Sequence, residues 1–347
     1  LNWGLGHAGR CVPLIRELLS AGAEVLIAAD KGPADLLGRE FPELELIRFP
    51  GAEITYPDRG SMAFAMMLQS PRILKSIHNE NRQLTELIKR TGAHAVISDN
   101  RFGCFNPEVY SVFMTHQVYI QAPDPLSRML LYRINRSYMK HYREVWIPDF
   151  PNAPGLSGNL AHPQPQGIST YYIGALSRFT RCTQIETAYD VAYILSGPEP
   201  QRSLLEKCIV ESGVGETRTC LLVRGTLNAP EWKDTRGIRM RELCTGAELQ
   251  DIFSHSALIV CRSGYSSIMD LYRTGKPAVL IPTPGQTEQE YLAHIFSSQG
   301  IFPSYPQKSF NPVEHSKIHD GFSGFSAADN GEILRRHVAD FIQRLKT

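Results

Sequence analysis

The chain has 347 residues, 42% of them hydrophobic and 20% charged, with 36 Lys and Arg against 35 Asp and Glu. That length exceeds one compact core and suits two domains. A net charge of +1 supplies no global field for a polynucleotide, and the composition excludes a disordered chain.

In chain order, residues 8–20 carry Val12, Ile15 and Leu19 at helical spacing. Short β-like runs follow at 24–29 and 44–49. Residues 61–90 read as helix interrupted near Pro71. Further buried-strand signals are 95–98, 111–115 and 145–147. Residues 149–167 are rich in Pro, Gly, Asn and Gln and read as an interdomain linker. A second series then begins, with strands expected at 169–173, 191–195, 220–223, 258–261 and 278–281. Helices are expected at 201–212, 248–254, 266–273 and 288–299. An amphipathic helix at 332–346 closes it, with Leu334, Val338, Phe341 and Leu345 on one face. Alternating strands and helices argue for α/β layers around parallel sheets.

The longest purely apolar run, 62–68, is far short of the roughly 20 residues that span a bilayer, and no secretory signal is read. Seven dispersed cysteines without a CxxC read as reduced thiols of a cytoplasmic protein and give no zinc pattern. His315 and His319 stand four apart without HExxH context and read as a loop or short helix, so no metal site is expected.

Four stretches can carry chemistry. Residues 4–9, GLGHAG, fit GxGxxG with Gly4, Gly6 and Gly9, and Asp30 follows 21 residues after Gly9. By spacing alone this is a dinucleotide fingerprint or a ligand-free strand-to-helix turn, with a further strand expected before it. His7 at its mouth can take a proton near neutral pH. Residues 261–270, CRSGYSSIMD, place Arg262, Ser263, Gly264, Ser266 and Ser267 at a helix start, where backbone amides suit a diphosphate. Asp270 lies further in, where it could accept from ribose hydroxyls. Residues 281–290 bring Gln289 and Glu290 to another helix start, and such side chains suit sugar hydroxyls. Residues 196–202, with Ser196 and Gly197, form one more strand-to-helix loop. A P-loop is missing because Lys276 is followed by Pro277; GxSxG and DxD are missing too.

The run 259–291 resembles the nucleotide-sugar glycosyltransferases of the MurG-like group, family 28. Residues 4–9 are similar to that family's N-terminal glycine-rich loop, and 172–178 to its entry into the second domain. The resemblance implies an α/β GT-B fold: two Rossmann-like domains facing a cleft, at 1–165 and 166–328, and a final helix, 329–347, crossing back to the first. It implies an inverting, metal-independent transfer from a UDP-sugar, such as UDP-GlcNAc, to a hydroxyl acceptor. The acceptor it suggests is lipid-linked or part of a cell-envelope glycan.

Carried over by residue, Ser263 and Gly264 would meet the diphosphate, Asp270 the ribose and Gln289 the sugar. Glu290 stands where the family has a second Gln, and Asp270 where it has Glu. Gly4, Gly6 and Gly9 would face the donor phosphate. Arg178 and Arg262 are candidates to stabilise the leaving diphosphate. His7 is the first candidate base and Asp99, at the tip of a strand, the second. His116 sits where the family has a His-Glu-Gln stretch, and a buried structural histidine is its alternative. Residues 126–143 hold Arg128, Arg133, Arg136, Lys140 and Arg143 beside a stripe of Leu131, Ile134, Tyr138 and Tyr142. This pattern fits either a helix packed on the sheet or a peripheral membrane contact through 126–146 at the inner face. A nicotinamide enzyme using residues 4–9 and a non-catalytic nucleotide-sugar or glycan binder are the alternatives. The glycosyltransferase reading expects no cofactor besides the UDP-sugar donor substrate, and no nucleic acid is expected as a partner.

Overall fold

A computed structural model describes residues 5–51, 62–122, 124–182, 186–226, 231–326 and 329–346, with the backbone alone at 5 and 62–73. The chain divides into unit 1, Leu1–Leu176 with Gly331–Thr347, and unit 2, Ser177–Asn330.

Unit 1 starts with α1 (Leu5–Ser20), β1 (Ile27–Ala29), α2 (Lys31–Glu40) and β2 (Leu46–Arg48). β1 and β2 pair in parallel. Ala8, Val12 and Ile15 of α1 pack with Ala34 and Leu37 of α2 and with Ile27 and Ala29, so the stripe at residues 8–20 is a core face. α3 (Met62–Thr91) runs as one helix through residue 71, because the turns on either side span the single missing amide donor. β3 (Ala95–Asp99), β4 (Tyr110–Met114), α4 (Pro125–Met139), β5 (Glu144–Ile147) and β6 (Thr170–Tyr172) complete this part. The four strands form a parallel sheet in the order β3-β4-β5-β6. β5 is buried along its whole length, as a strand covered on both faces must be.

Residues 149–167 are not a linker. Asp149 is fully buried and accepts from the amides of Phe150 and Leu156, both at 2.7 Å, of Ser157 at 2.9 Å, and from the Ser157 hydroxyl. One carboxylate thus satisfies a loop that would otherwise bury open amide donors. β6 joins the unit 1 sheet, so the boundary falls after Leu176 and not at 165.

Unit 2 holds β7 (Tyr189–Ile194), α5 (Gln201–Glu211), β8 (Cys220–Val223), β9 (Arg239–Arg241), α6 (Gly246–Ser254), β10 (Ser256–Cys261), α7 (Tyr265–Thr274), β11 (Ala278–Leu280), α8 (Thr287–Ser298) and α9 (Pro312–His315). Its parallel sheet has the order β11-β10-β7-β8-β9. The chain winds outward from β7 on one side, then restarts at β10 on the other. That reversal is the switch point of a doubly wound sheet, and ligands bind at the carboxyl ends of the strands there.

α10 (Glu332–Lys346) belongs to unit 1. Leu334, Val338 and Phe341 are buried on one face, as their spacing predicts. The Phe341 ring meets Trp146 and Tyr110 edge-on, at 4.9 and 5.5 Å between centroids. Arg344 pairs with the buried Glu144, which also accepts from Tyr110 at 2.5 Å and from the Trp146 indole at 2.7 Å. The helix is therefore part of this unit's core.

Candidate active site

Two adjacent parallel strands set the first cluster. Asp99 ends β3, and His116 lies two residues past the end of β4, so both stand at the carboxyl edge of the unit 1 sheet. α1 adds His7 and Arg10, three residues apart and hence on one helix face. His7 Nδ1 is 2.9 Å from Asp99 Oδ2, and Arg10 Nε donates to Asp99 Oδ1 at 3.0 Å. A second Arg10 nitrogen also meets Oδ1. Arg10 Nη1 lies 2.9 Å from His116 Nδ1, and Nη2 lies 2.9 Å from His7 Nδ1. The Cys11 thiol donates to Asp99 Oδ2 at 3.7 Å.

Charge decides the roles. Burial and the Arg10 cation push the His7 imidazole down to about 4, against the opposing pull of Asp99. His7 is therefore neutral at physiological pH. Burial alone would raise the Asp99 carboxyl, but Arg10 and then His7 outweigh it and hold it well below the usual carboxylate range. Asp99 is thus held ionised, and its Oδ2 faces the His7 ring. A proton on Nδ1, donated to Asp99, would leave the Nε2 lone pair available to accept a proton. His116 is 4% exposed and faces the guanidinium, so it supports the cluster from inside.

The glycine motif is not a loop. Gly6 and Gly9 lie within α1, while Gly4 is outside the described residues. The dinucleotide turn read from their spacing is absent from residues 5–9. Asp30 caps the start of α2 without a side-chain hydrogen bond to it.

The second cluster lies at the unit 2 switch point, where β7 and β10 are neighbours. The loop after β7 places Ser196 and Gly197 in the open, with Gly197 at φ +100°. A side chain there would be strained in backbone and would stand 3.5 Å from the Thr283 hydroxyl. Thr283 was not read from the sequence. Its hydroxyl is buried without a hydrogen-bond partner, next to the same loop. Its only signal was its place just beyond β11.

Arg262 is corrected. It is 1% exposed and donates to the carbonyls of Ile281 at 3.1 Å, Pro282 at 3.4 Å and Gln201 at 2.8 Å. A cation beside a Ser-Gly turn here braces the segment after β11 and the start of α5 from within. The Ser263 hydroxyl is likewise engaged, donating to the Gln289 carbonyl at 2.7 Å. Gln289 accepts from the Thr283 amide at 2.9 Å and donates to Gln286, while Glu290 accepts from the Gly285 amide at 3.0 Å. Their polar groups, expected on sugar hydroxyls, tie the β11–α8 turn together.

Gly264 caps α7 and is partly exposed, as is Ser266 in the first turn. Asp270 accepts from the Ser177 hydroxyl at 2.6 Å, and burial raises it to about 6 although Arg178 acts to lower it. Arg178 lies over the Phe179 ring at 5.4 Å. Exposed or partly exposed here are Ser196 and Gly197, Gly264 and Ser266 at the start of α7, and Asp270 and Arg178. Among the described residues no three His, Cys, Asp or Glu side chains converge as a metal-binding group.

Residues 246–319, from α6 to just beyond α9 of unit 2, match the model of the glycosyltransferase family 28 C-terminal domain. An uncharacterized glycosyltransferase of Methanosarcina mazei is 25% identical over 336 residues, 86% of this chain and 82% of its own. A solved structure titled as the glycotransferase of kitacinnamycin superposes with a TM-score of 0.64 at 15% identity, covering 98% of this chain and 96% of the other. The chain is a glycosyltransferase of the GT-B fold, and its residues 246–319 are similar to the family 28 C-terminal domain. That assignment displaces the nicotinamide reading of residues 4–9. A third similarity is local: 55 residues, 15% of each chain, are 44% identical to a Chlorobium limicola enzyme. It is named UDP-N-acetylglucosamine–N-acetylmuramyl-(pentapeptide) pyrophosphoryl-undecaprenol N-acetylglucosamine transferase.

Proposed function

We propose that this glycosyltransferase moves a sugar from a UDP-sugar to a hydroxyl acceptor, with inversion and without a metal. UDP-N-acetylglucosamine is the first candidate donor. The observation that carries the chemistry is the His7–Asp99 pair, which leaves Nε2 of a neutral imidazole as proton acceptor. In the step, the acceptor O–H gives its proton to His7 Nε2, and its oxygen forms the new bond to the anomeric carbon. The bond from that carbon to the diphosphate breaks, and UDP leaves with the electron pair. One displacement with one base inverts the centre. On the donor side, Gly264, Ser266 and the Ser196–Gly197 loop are assigned to the diphosphate and Asp270 to the ribose. Arg178 would offset the charge growing on UDP. The name of the Chlorobium limicola relative supports a UDP-linked donor and a lipid-linked acceptor.

Thermal shift against UDP, UDP-GlcNAc, UDP-glucose, GDP, dTDP and NAD, with and without EDTA, tests the donor. A UDP-selective shift indifferent to EDTA is expected. Stabilisation by NAD alone, or by dTDP above UDP, would overturn the donor assignment. Release of UDP from the preferred donor by slow hydrolysis separates a transferase from a mere binder.

The same reading places the protein in the cytoplasm, against the inner face of a membrane. No helix among the described residues is long and apolar enough to cross one. α4 supports a surface contact, with Ile134 of the expected stripe facing outward but not its tyrosines. Tyr138 stacks on Phe102, Tyr142 is buried in the core, and Asn135 anchors the helix through the carbonyls of Gln117 and Val118. The outward face instead exposes Leu126, Met129, Leu130 and Ile134 beside exposed Arg128 and Arg133. Apolar side chains flanked by cations fit an anionic lipid surface. Flotation with phosphatidylglycerol vesicles should recover the parent, and Leu126→Glu with Leu130→Glu should abolish this. Equal recovery of both proteins would remove α4 from the contact, and no binding by the parent would remove the contact altogether.

A further inference from the structure

The His7–Asp99 pair contains a third member that the proposed mechanism does not use. Arg10 is 2% exposed, yet it is a full cation deep in unit 1. Its guanidinium occupies Asp99 Oδ1 with two nitrogens and reaches His116 Nδ1 with the third. Only Oδ2 of Asp99 is left for His7 Nδ1. We propose that Arg10 is a positioning residue, fixing Asp99 and both histidines so that Nδ1 of His7 carries the proton and Nε2 stays open to the acceptor.

Two contacts compete at His7 Nδ1: the Asp99 carboxylate asks for a proton there, and the Arg10 guanidinium, a donor only, asks for a lone pair. Because Arg10 Nη2 already donates to Asp99 Oδ1, the carboxylate contact sets the tautomer. Nδ1 of His7 stands 2.9 Å from Asp99 Oδ2 and 2.9 Å from Arg10 Nη2. A proton on Nε2 would leave an Nδ1 lone pair facing a carboxylate oxygen at that distance, which is repulsive. A proton on Nδ1 makes the same contact a charge-assisted hydrogen bond. His116 is the converse. Its Nδ1 faces a guanidinium, which has donors only, so it accepts and its proton sits on Nε2. Arg10 also counters the charge of Asp99. Without it, a lone carboxylate beside His7 would favour the imidazolium, which cannot act as a base. The groups around His7 are Arg10 and Cys11 on its own helix, Asp99 at the end of β3, and His116 beyond β4 through Arg10.

The inference rests on His7 as the base, but its test reads the ring directly. Histidine-labelled full-length protein is titrated by 15N NMR as parent, Arg10→Met and Arg10→Lys, alongside the pH profile of kcat/KM. The parent should show His7 with Nδ1 protonated and Nε2 bare, titrating near 4. In Arg10→Met both the His7 midpoint and the acid limb should move up by about 1–3 pH units, as expected for a carboxylate freed beside a histidine. Arg10→Lys keeps the charge but cannot span Asp99 and His116. It should restore the acid limb while leaving the plateau of kcat below the parent.

A His7 midpoint in Arg10→Met equal to the parent's would overturn the inference. So would Arg10→Lys matching the parent in both limb and plateau, which decides the matter if Arg10→Met does not fold. His7→Gln separates the two ideas. If it retains turnover, the base assignment fails, whereas the NMR midpoints still judge Arg10.

Discussion

Replacing His7 by alanine is expected to lower kcat by about 10²–10⁴-fold, the usual weight of a positioned general base, while leaving donor affinity in place. The loss should lie in turnover because His7 belongs to unit 1, whereas the donor contacts assigned above all lie in unit 2. The parent's pH profile carries the same information. Protonation of His7 removes the proton acceptor, so the rate is held above about pH 4 and lost as the pH falls through it. An ordinary solvated histidine would give up the rate near its usual value of about 6.5. Steady-state kinetics of His7→Ala with the preferred donor settle the point, and turnover within a few-fold of the parent would remove His7 from the chemistry.

The largest effect on stability is expected at Phe341. Its ring is 1% exposed and fills the angle between Trp146 and Tyr110. Phe341→Ala removes that packing and opens a cavity, at a cost of about 3–5 kcal/mol. The neighbours are poorly placed to refill it. Trp146 is held by its indole bond to Glu144, and Tyr110 by its hydroxyl to the same carboxylate. Chemical denaturation at pH 7 measures the loss. A change under about 1 kcal/mol would mean that the two rings relax into the gap.

Strands built from continuous apolar runs were legible in the sequence, because burial on both faces leaves no polar position to confuse the pattern. β8 and β11 are of this kind, as are the centre of β7 and the end of β10. β9, Arg-Met-Arg at an edge of its sheet, was not, since two arginines disguise an extended segment. The loop at 149–167 was misread because Pro, Gly and Asn look alike in a free linker and in a loop tied to one buried carboxylate. Asp149 directly after a strand was the available clue. His7, Asp99 and His116 were found as separate residues, and only the adjacency of β3 and β4 makes them one cluster. Arg10 was missed because a cation in an amphipathic helix reads as a solvated position. Its distance of three residues from His7 was the signal. Arg262 failed in the opposite sense, because inward or outward direction is invisible in a strand-end cation.

The two-part composition of unit 1 has a consequence for biosynthesis. Residues 331–347 are translated only after the whole of unit 2, yet they cover Trp146 and supply the cation for Glu144. Unit 2 is contiguous and can close its core while the ribosome is still working. Unit 1 must wait with an apolar sheet face and a buried carboxylate uncovered. Truncation near the C-terminus should therefore injure the half that was made first.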